Sequence, residues 1–60
     1  MKKECVAIGD NMIVILFLNK EGLVCKLQVW FNGKKRRPYS FPYPLTKEEA
    51  MVQAYITRDG

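Results

Sequence analysis

The chain has 60 residues, a formal net charge of +4, two cysteines and no histidine. A domain of this length buries only about 60% of the surface that its unfolded chain exposes, so we expect a thin core and either marginal stability or a homodimer. Without histidine the chain lacks the commonest general base and a ligand set for zinc, which argues against an enzyme and against a metal or other cofactor.

The cellular location is predicted from two features of the first third of the chain. The apolar run at residues 12–18 is far shorter than the roughly 20 residues that a membrane-spanning helix needs. The start Met1-Lys2-Lys3-Glu4 lacks the apolar region of a signal peptide. We therefore expect a cytoplasmic protein without a membrane partner.

The first predicted strand covers residues 4–8, after a frayed basic terminus. It ends at Gly9-Asp10-Asn11, residues that favour turns. The register of this strand is open. A two-residue loop places Val6 on the face of Ile13, and a three-residue loop places it on the face of Met12.

The second strand, residues 12–18, is an unbroken apolar run rich in β-branched side chains. It is predicted to be the central strand of a sheet with both faces covered. A buried helix is the alternative, but the run is short for a helix, in which β-branched side chains lose rotamer freedom.

A hairpin loop at residues 19–22, with Gly22 in the left-handed conformation, leads to a third strand at residues 23–31. We expect Leu18 to face Leu23 across this hairpin. The third strand alternates, and its two sets of side chains are Leu23, Cys25, Leu27, Val29 and Phe31 toward the core, and Val24, Lys26, Gln28 and Trp30 away from it.

The two cysteines fall in the first and third strands. With one strand between them, the backbones of Cys5 and Cys25 lie about 9.5 Å apart, beyond the roughly 7 Å limit for a disulfide. We expect both to be buried as small hydrophobic residues.

Asn32-Gly33 predicts a two-residue type I′ turn, because both central positions of that turn need a positive φ. A fourth strand at residues 34–41 follows, and it must lie at an edge because Pro38 lacks a backbone donor; we expect it to break up by Pro42. The register set by the turn pairs Phe31 with Lys34, Trp30 with Lys35, Gln28 with Arg37 and Lys26 with Tyr39.

The segment with Pro42 and Pro44 alternates with aromatic residues and is expected to lie over one end of the core. A proline-rich ligand motif for a partner domain is the functional alternative. Thr46-Lys47-Glu48-Glu49 then forms a capping box at the start of a helix over residues 47–58. Its predicted stripe on the sheet is Ala50, Met51, Ala54 and Tyr55.

These elements predict a single α+β domain. A three- to four-stranded antiparallel meander is packed on one face by a single C-terminal helix.

Basic and aromatic side chains collect on the hairpin that contains the Asn32-Gly33 turn. Cations suit phosphates and flat rings suit bases, so this set predicts nucleic-acid binding. The alternative is that the cations only keep an exposed edge hairpin from aggregating. The candidate residues are Lys26, Trp30, Lys34, Lys35, Arg36, Arg37 and Tyr39.

The second half of the chain resembles a known family. The residues that carry the resemblance are Trp30, Gly33-Lys34-Lys35, Phe41 and residues 46–55. They resemble the end of the AP2-type domain and of the arm-binding domains of phage and transposon integrases. The resemblance implies a three-stranded antiparallel sheet with one C-terminal helix, whose sheet face enters the DNA major groove. It implies DNA contacts for Trp30, Lys35 and Arg37, and packing for Ala50, Ala54 and Tyr55. The chain departs from the family in its apolar first two strands and in its proline-rich segment.

The sheet face away from the helix is predicted to carry an apolar patch without a cover. Its residues are Ile13, Ile15, Phe17 and Val24. A patch of this kind is seldom left exposed on a small monomer. A second copy of the chain, a partner protein, or the chain's own first strand or Pro/aromatic segment is expected to cover it.

Two functional hypotheses follow from these observations. The first is a small DNA-binding accessory protein of the sort that phages and mobile elements encode. The second is a protein-interaction module or inhibitor, acting as a homodimer or on a host protein through the apolar face.

Overall fold

The computed structural model describes residues 2–59, apart from the side chain of Asp59. The elements in chain order are β1 (Lys2–Ile8), β2 (Met12–Leu18), β3 (Val24–Phe31), β4 (Lys34–Lys35), β5 (Tyr39–Leu45) and α1 (Lys47–Asp59).

The strands form one antiparallel sheet with the order β1-β2-β3-β4, and β5 pairs with β3 on the same edge as β4. Helix α1 packs on one face of this sheet, against β3 and β5. The predicted α+β architecture, an antiparallel meander with a C-terminal helix, is confirmed.

The register of β1 is set by a three-residue turn at residues 9–11. Val6 lies opposite Val14, and Ile8 lies opposite Met12. Since directly opposed residues share a face, Val6 and Ile8 point toward the helix side. Strand β1 also begins at Lys2, two residues before the predicted start.

The turn between β2 and β3 is shorter than predicted. The Asn19 N–H donates to the Leu23 carbonyl oxygen over 2.8 Å, and the Leu23 N–H donates to Asn19 Oδ1 over 3.0 Å. Asn19 is therefore opposite Leu23, and the predicted pairing of Leu18 with Leu23 is wrong. Leu18 instead pairs with Val24, beside a register shift in the ladder.

This register shift changes the face of one residue. Val24 is fully buried and belongs to the core with Leu18. The prediction that Val24 lies on the face away from the helix is wrong, because the irregular pairing before Lys26 interrupts the simple alternation of the strand.

The core lies between the sheet and α1. Its buried residues come from β2, β3 and the helix, with partly buried side chains from β1 and β5 around them. The buried set is Met12, Val14, Leu16, Leu18, Val24, Leu27, Val29, Ala50 and Ala54.

The capping box of α1 is confirmed. The Thr46 N–H donates to Glu49 Oε1 over 3.1 Å, and the Glu49 N–H donates to the Thr46 hydroxyl over 3.2 Å. Ala50 and Ala54 are fully buried on the sheet, as predicted. Tyr55 is 42% exposed, so its predicted packing role is wrong. Met51, one turn earlier on the same side of the helix, is partly buried against the core as predicted.

The proline-containing segment differs from the prediction. Strand β5 runs on through Pro42 and Pro44 and pairs with β3 through Tyr39, Ser40 and Leu45. The prolines fall where this ladder is irregular, so their missing N–H groups interrupt no paired position. The segment extends the sheet at its edge, and its Phe41 packs against the core on the helix side.

Candidate nucleic-acid interface

The sheet face away from α1 is here called the open face, and all five strands contribute side chains to it. The registers place opposed residues on it in rows across the strands. Its members are Lys3, Cys5, Ala7, Ile13, Ile15, Phe17, Lys26, Gln28, Trp30, Lys35 and Ser40.

One row of the open face places an aromatic ring between two lysines. Phe17 of β2 lies opposite Lys3 on one side and Lys26 on the other. The two Nζ atoms are 5.5 Å and 5.3 Å from the centre of the Phe17 ring. Cation–π attraction at these distances helps to hold both ammonium groups against the ring and on this face.

A second row, near the turns, ends in another aromatic and basic pair. Ile13 lies opposite Trp30, which lies opposite Lys35. Ile13 is 47% exposed and Trp30 is 37% exposed, so both present apolar surface to a ligand. They line a shallow pocket of about 280 Å³ with residues of the two neighbouring turns.

The two turns beside this pocket are joined by a hydrogen bond. The Asn32 N–H donates to the Asn11 carbonyl oxygen over 2.8 Å. Asn32 and Gly33 have φ values of 54° and 76°, which confirms the left-handed conformations that a type I′ turn requires. The pairing of Trp30 with Lys35 that follows from this turn is confirmed as well.

The strand residues of the open face carry basic side chains and no acidic ones. Glu4 is the only carboxylate in the described strands, and it lies opposite Leu16 on the helix side. There its Oε2 is 2.9 Å from Nζ of Lys47. Lys3, Lys26 and Lys35 therefore share the open face with no acidic side chain from the strands, whereas Asp10 of the adjacent turn lines the pocket beside Ile13 and Trp30.

The four consecutive basic residues at 34–37 do not lie on one side of the sheet. No strand includes Arg36, Arg37 or Pro38. Lys35 points to the open face, whereas Lys34 lies opposite Phe31 on the helix side.

The predicted pairings beyond this segment are wrong. Lys26 lies opposite Ser40, and Tyr39 lies opposite Leu27 on the helix side. The backbone N–H of Arg36 still donates to the Val29 carbonyl oxygen over 2.8 Å. Between Arg36 and Tyr39 the chain contains one residue more than this register allows, so the pairing of β5 with β3 is shifted by one residue. Pro38, which has no N–H to donate, lies in this interruption. Gln28 therefore has no strand partner at Arg37.

The predicted nucleic-acid-binding set is thus divided. Lys26, Trp30 and Lys35 lie together on the open face. The other four lie at the far edge or on the helix side: Lys34, Arg36, Arg37 and Tyr39.

The predicted binding set does not include Lys3, because the sequence predicts a frayed terminus at residues 1–3. The signal that identifies it is the alternation of β1, in which Lys3, Cys5 and Ala7 lie on the same face. The same alternation leaves Cys5 exposed and its thiol free, so its predicted burial is wrong; Cys25 is also free and only partly buried.

The predicted apolar patch is present without Val24. Ile13, Ile15 and Phe17 lie in the centre of the open face. Two of the expected covers are ruled out by the topology, because β1 and β5 both pair within the sheet and extend it sideways. Among residues 2–59, the open face is an apolar centre with lysines around it.

No protein family model, no curated protein and no solved structure matches this chain. The resemblance to AP2-type domains therefore stays a prediction. Within the described part of the chain, no cluster of three His, Cys, Asp or Glu residues is arranged to bind a metal ion. Helix α1 is neither long nor apolar enough to span a membrane.

Proposed function

We propose that the protein binds single-stranded nucleic acid on the open face. The observation that carries this proposal is the combination of Phe17 and Trp30 with three lysines on a face whose strands contribute no carboxylate, Asp10 lying in the turn at one end. Lysines attract the phosphates, Phe17 holds two of these lysines on the face, and the exposed ring of Trp30 can stack with a base irrespective of sequence.

The apolar centre favours a single strand over a duplex as the ligand. A duplex presents its charged backbone outward, which suits Ile13 and Ile15 poorly. Unpaired bases bring flat apolar faces that can lie on these side chains and on the neighbouring rings. Backbone phosphates then lie toward the lysines around them.

The proposal predicts a salt-dependent affinity that depends on two particular lysines. Replacing Lys26 and Lys35 by alanine removes two phosphate contacts. For a single strand, the slope of log affinity against log salt should become shallower by about 1.4, because each contact contributes about 0.7. The measurement is a fluorescence titration with a labelled random oligonucleotide of about 12 nucleotides at several salt concentrations, with a duplex of the same length in parallel.

The matched control is the double variant with Lys2→Ala and Lys20→Ala. It loses the same charge, but Lys2 is on the helix side of β1 and Lys20 is in a turn. This control should keep the wild-type slope. Equal slopes for the two double variants would contradict the proposal, because the position of the lysines on the open face would then be irrelevant.

A second candidate function is self-association or protein binding through the same face. The observation in its favour is the exposure of Ile13 beside Ile15 and Phe17 at the centre of the face. Apolar docking of this kind should persist at high salt, whereas phosphate binding should weaken steeply. The solution mass measured on the titrated sample distinguishes a homodimer from a monomer.

A further inference from the structure

A second surface that can bind a ligand lies at the sheet edge, between the interruption at residues 36–38 and the last part of α1. It is a cleft of about 570 Å³, here called the basic cleft. It is lined by Lys35, Arg36, Arg37, Pro38, Tyr39, Ile56 and Thr57.

The lining of the basic cleft is positively charged, with three consecutive cations and no carboxylate. The Arg36 guanidinium carbon is 5.9 Å from the centre of the Phe31 ring, and that of Arg58 is 5.5 Å from the same ring. Two guanidinium groups therefore share one aromatic side chain beside the cleft. Guanidinium groups bind phosphate oxygens in a planar, bidentate manner.

One atom of this cluster lacks a partner. The Nε atom of Arg36 is buried, and no hydrogen-bond acceptor is within reach among the described residues. Buried side-chain nitrogen atoms are nearly always paired, and a charged guanidinium prefers an anionic acceptor. Since this Nε atom is itself covered, an oxyanion in the cleft pairs with it only when the Arg36 side chain turns toward the cleft.

The cleft also has flat and apolar walls. Tyr39 is 43% exposed, and the centre of its ring is 5.2 Å from the centre of the Phe41 ring. This contact limits the directions in which the Tyr39 ring can turn. Ile56 is exposed on the facing helix. A tyrosine ring with an aliphatic neighbour is a surface on which a nucleobase can stack.

Lys35 connects the two surfaces. It lies on the open face opposite Trp30, and it also lines the basic cleft. A chain of phosphates that leaves the open face beside Lys35 therefore reaches Arg36 and Arg37 next.

We propose that the basic cleft binds one nucleotide of a strand that continues from the open face over the β4 edge. Its phosphate is bound by Arg36 and Arg37, and its base stacks on Tyr39. This inference rests on the proposed function, since the open face supplies the first part of the binding site.

The test is a comparison of two oligonucleotide lengths with the full chain. An oligonucleotide of about 4 nucleotides occupies the open face alone, and one of about 12 nucleotides also reaches the cleft. The double variant with Arg37→Ala and Tyr39→Ala should bind the long oligonucleotide at least about tenfold more weakly and the short one as the wild type does. Both side chains are exposed, so the fold should persist, and a thermal unfolding curve checks it.

The control is the double variant with Lys20→Ala and Tyr43→Ala, which loses one cation and one exposed tyrosine outside the cleft. It should bind both lengths as the wild type does. If the cleft variant binds the long oligonucleotide normally, or loses both lengths equally, the inference is overturned while binding by the open face stands.

Failure of the proposed function gives a different result, because the wild type then binds neither length. In that case the cleft is tested alone with adenosine monophosphate, followed by amide resonances in NMR spectra. Shifts confined to residues 36–39 and 56–57 would support a nucleotide site in the cleft. Their absence would overturn it.

Discussion

Two residues determine the geometry of the turn between β2 and β3. Gly22 has a φ of 82°, a left-handed conformation that residues with a Cβ adopt at a cost of roughly 1–2 kcal/mol. Asn19 Oδ1 accepts the N–H groups of Glu21 and Leu23 over 2.9 Å and 3.0 Å. Together they close the loop after three residues and set the start of β3, where Val24 enters the core.

The variant Gly22→Ala tests the conformational part of this account. No atom lies within 4 Å of the position that an added Cβ would take, so the change introduces backbone strain without a clash. We expect the free energy of unfolding to fall by about 1 kcal/mol, measured by urea denaturation. Gly22→Asn is the control, and it should lose less because asparagine tolerates positive φ. Unchanged stability in Gly22→Ala would show that this turn is not constrained.

At the scale of elements, the fold depends on how closely α1 approaches the sheet. Ala50 and Ala54 are fully buried, one helical turn apart, at the contact with β3 and β5. The absence of larger side chains at these two positions lets the helix backbone lie near the strands. The capping box formed by Thr46 and Glu49 sets the residue at which the helix begins.

Ala54→Leu should therefore be strongly destabilising. The extra carbon atoms have no space at a fully buried position, so we expect the free energy of unfolding to fall by about 1–3 kcal/mol. The comparison is Val52→Leu on the exposed side of the same helix, where the change should stay within about 0.5 kcal/mol. Thermal or urea unfolding of the two variants measures both values. Equal stability would mean that α1 does not lie close to the sheet at Ala54.

The elements that were predicted correctly depend on local chemistry. The apolar run of β2 as a strand, the Asn32-Gly33 turn and the capping box each need only neighbouring residues, and each is confirmed. The prediction that both faces of β2 are covered is wrong among the described residues, because the helix packs on one face and Ile13 on the other is 47% exposed. The register errors arise where one residue is inserted into a ladder. The side-chain hydrogen bonds of Asn19 and the interruption at Pro38 each change the register, and a change of one residue moves a side chain to the other face.

The candidate site shows the same limit. Lys26, Trp30 and Lys35 were placed correctly because they lie before the interruption or directly beside the Asn32-Gly33 turn. Tyr39 and Val24 were assigned to the wrong face because each lies next to an irregularity that alternation does not reveal.

The whole molecule has one covered face and one open face. The helix covers the core on one side, and on the other side Ile13, Ile15 and Phe17 lie among three lysines. Two copies that stack through their open faces bring six lysines into one interface against the two Asp10 carboxylates of the adjacent turns, and the excess of like charge opposes such an approach. A nucleic acid brings phosphates that suit the lysines and flat bases that suit the apolar centre. This is the physical reason to prefer nucleic acid over a second copy.

Ile13→Lys separates these two ligands in a single variant. Position 13 is 47% exposed, so a lysine there keeps its ammonium group in water and should leave the fold intact. If the open face binds a single strand, the added cation should tighten binding at low salt and steepen the salt slope by about 0.7. Val52→Lys adds the same charge on the exposed side of α1 and should leave the slope unchanged. If the open face is instead a dimer interface, Ile13→Lys should lower the solution mass to that of a monomer and leave the oligonucleotide titration flat, because one more buried lysine then adds only repulsion.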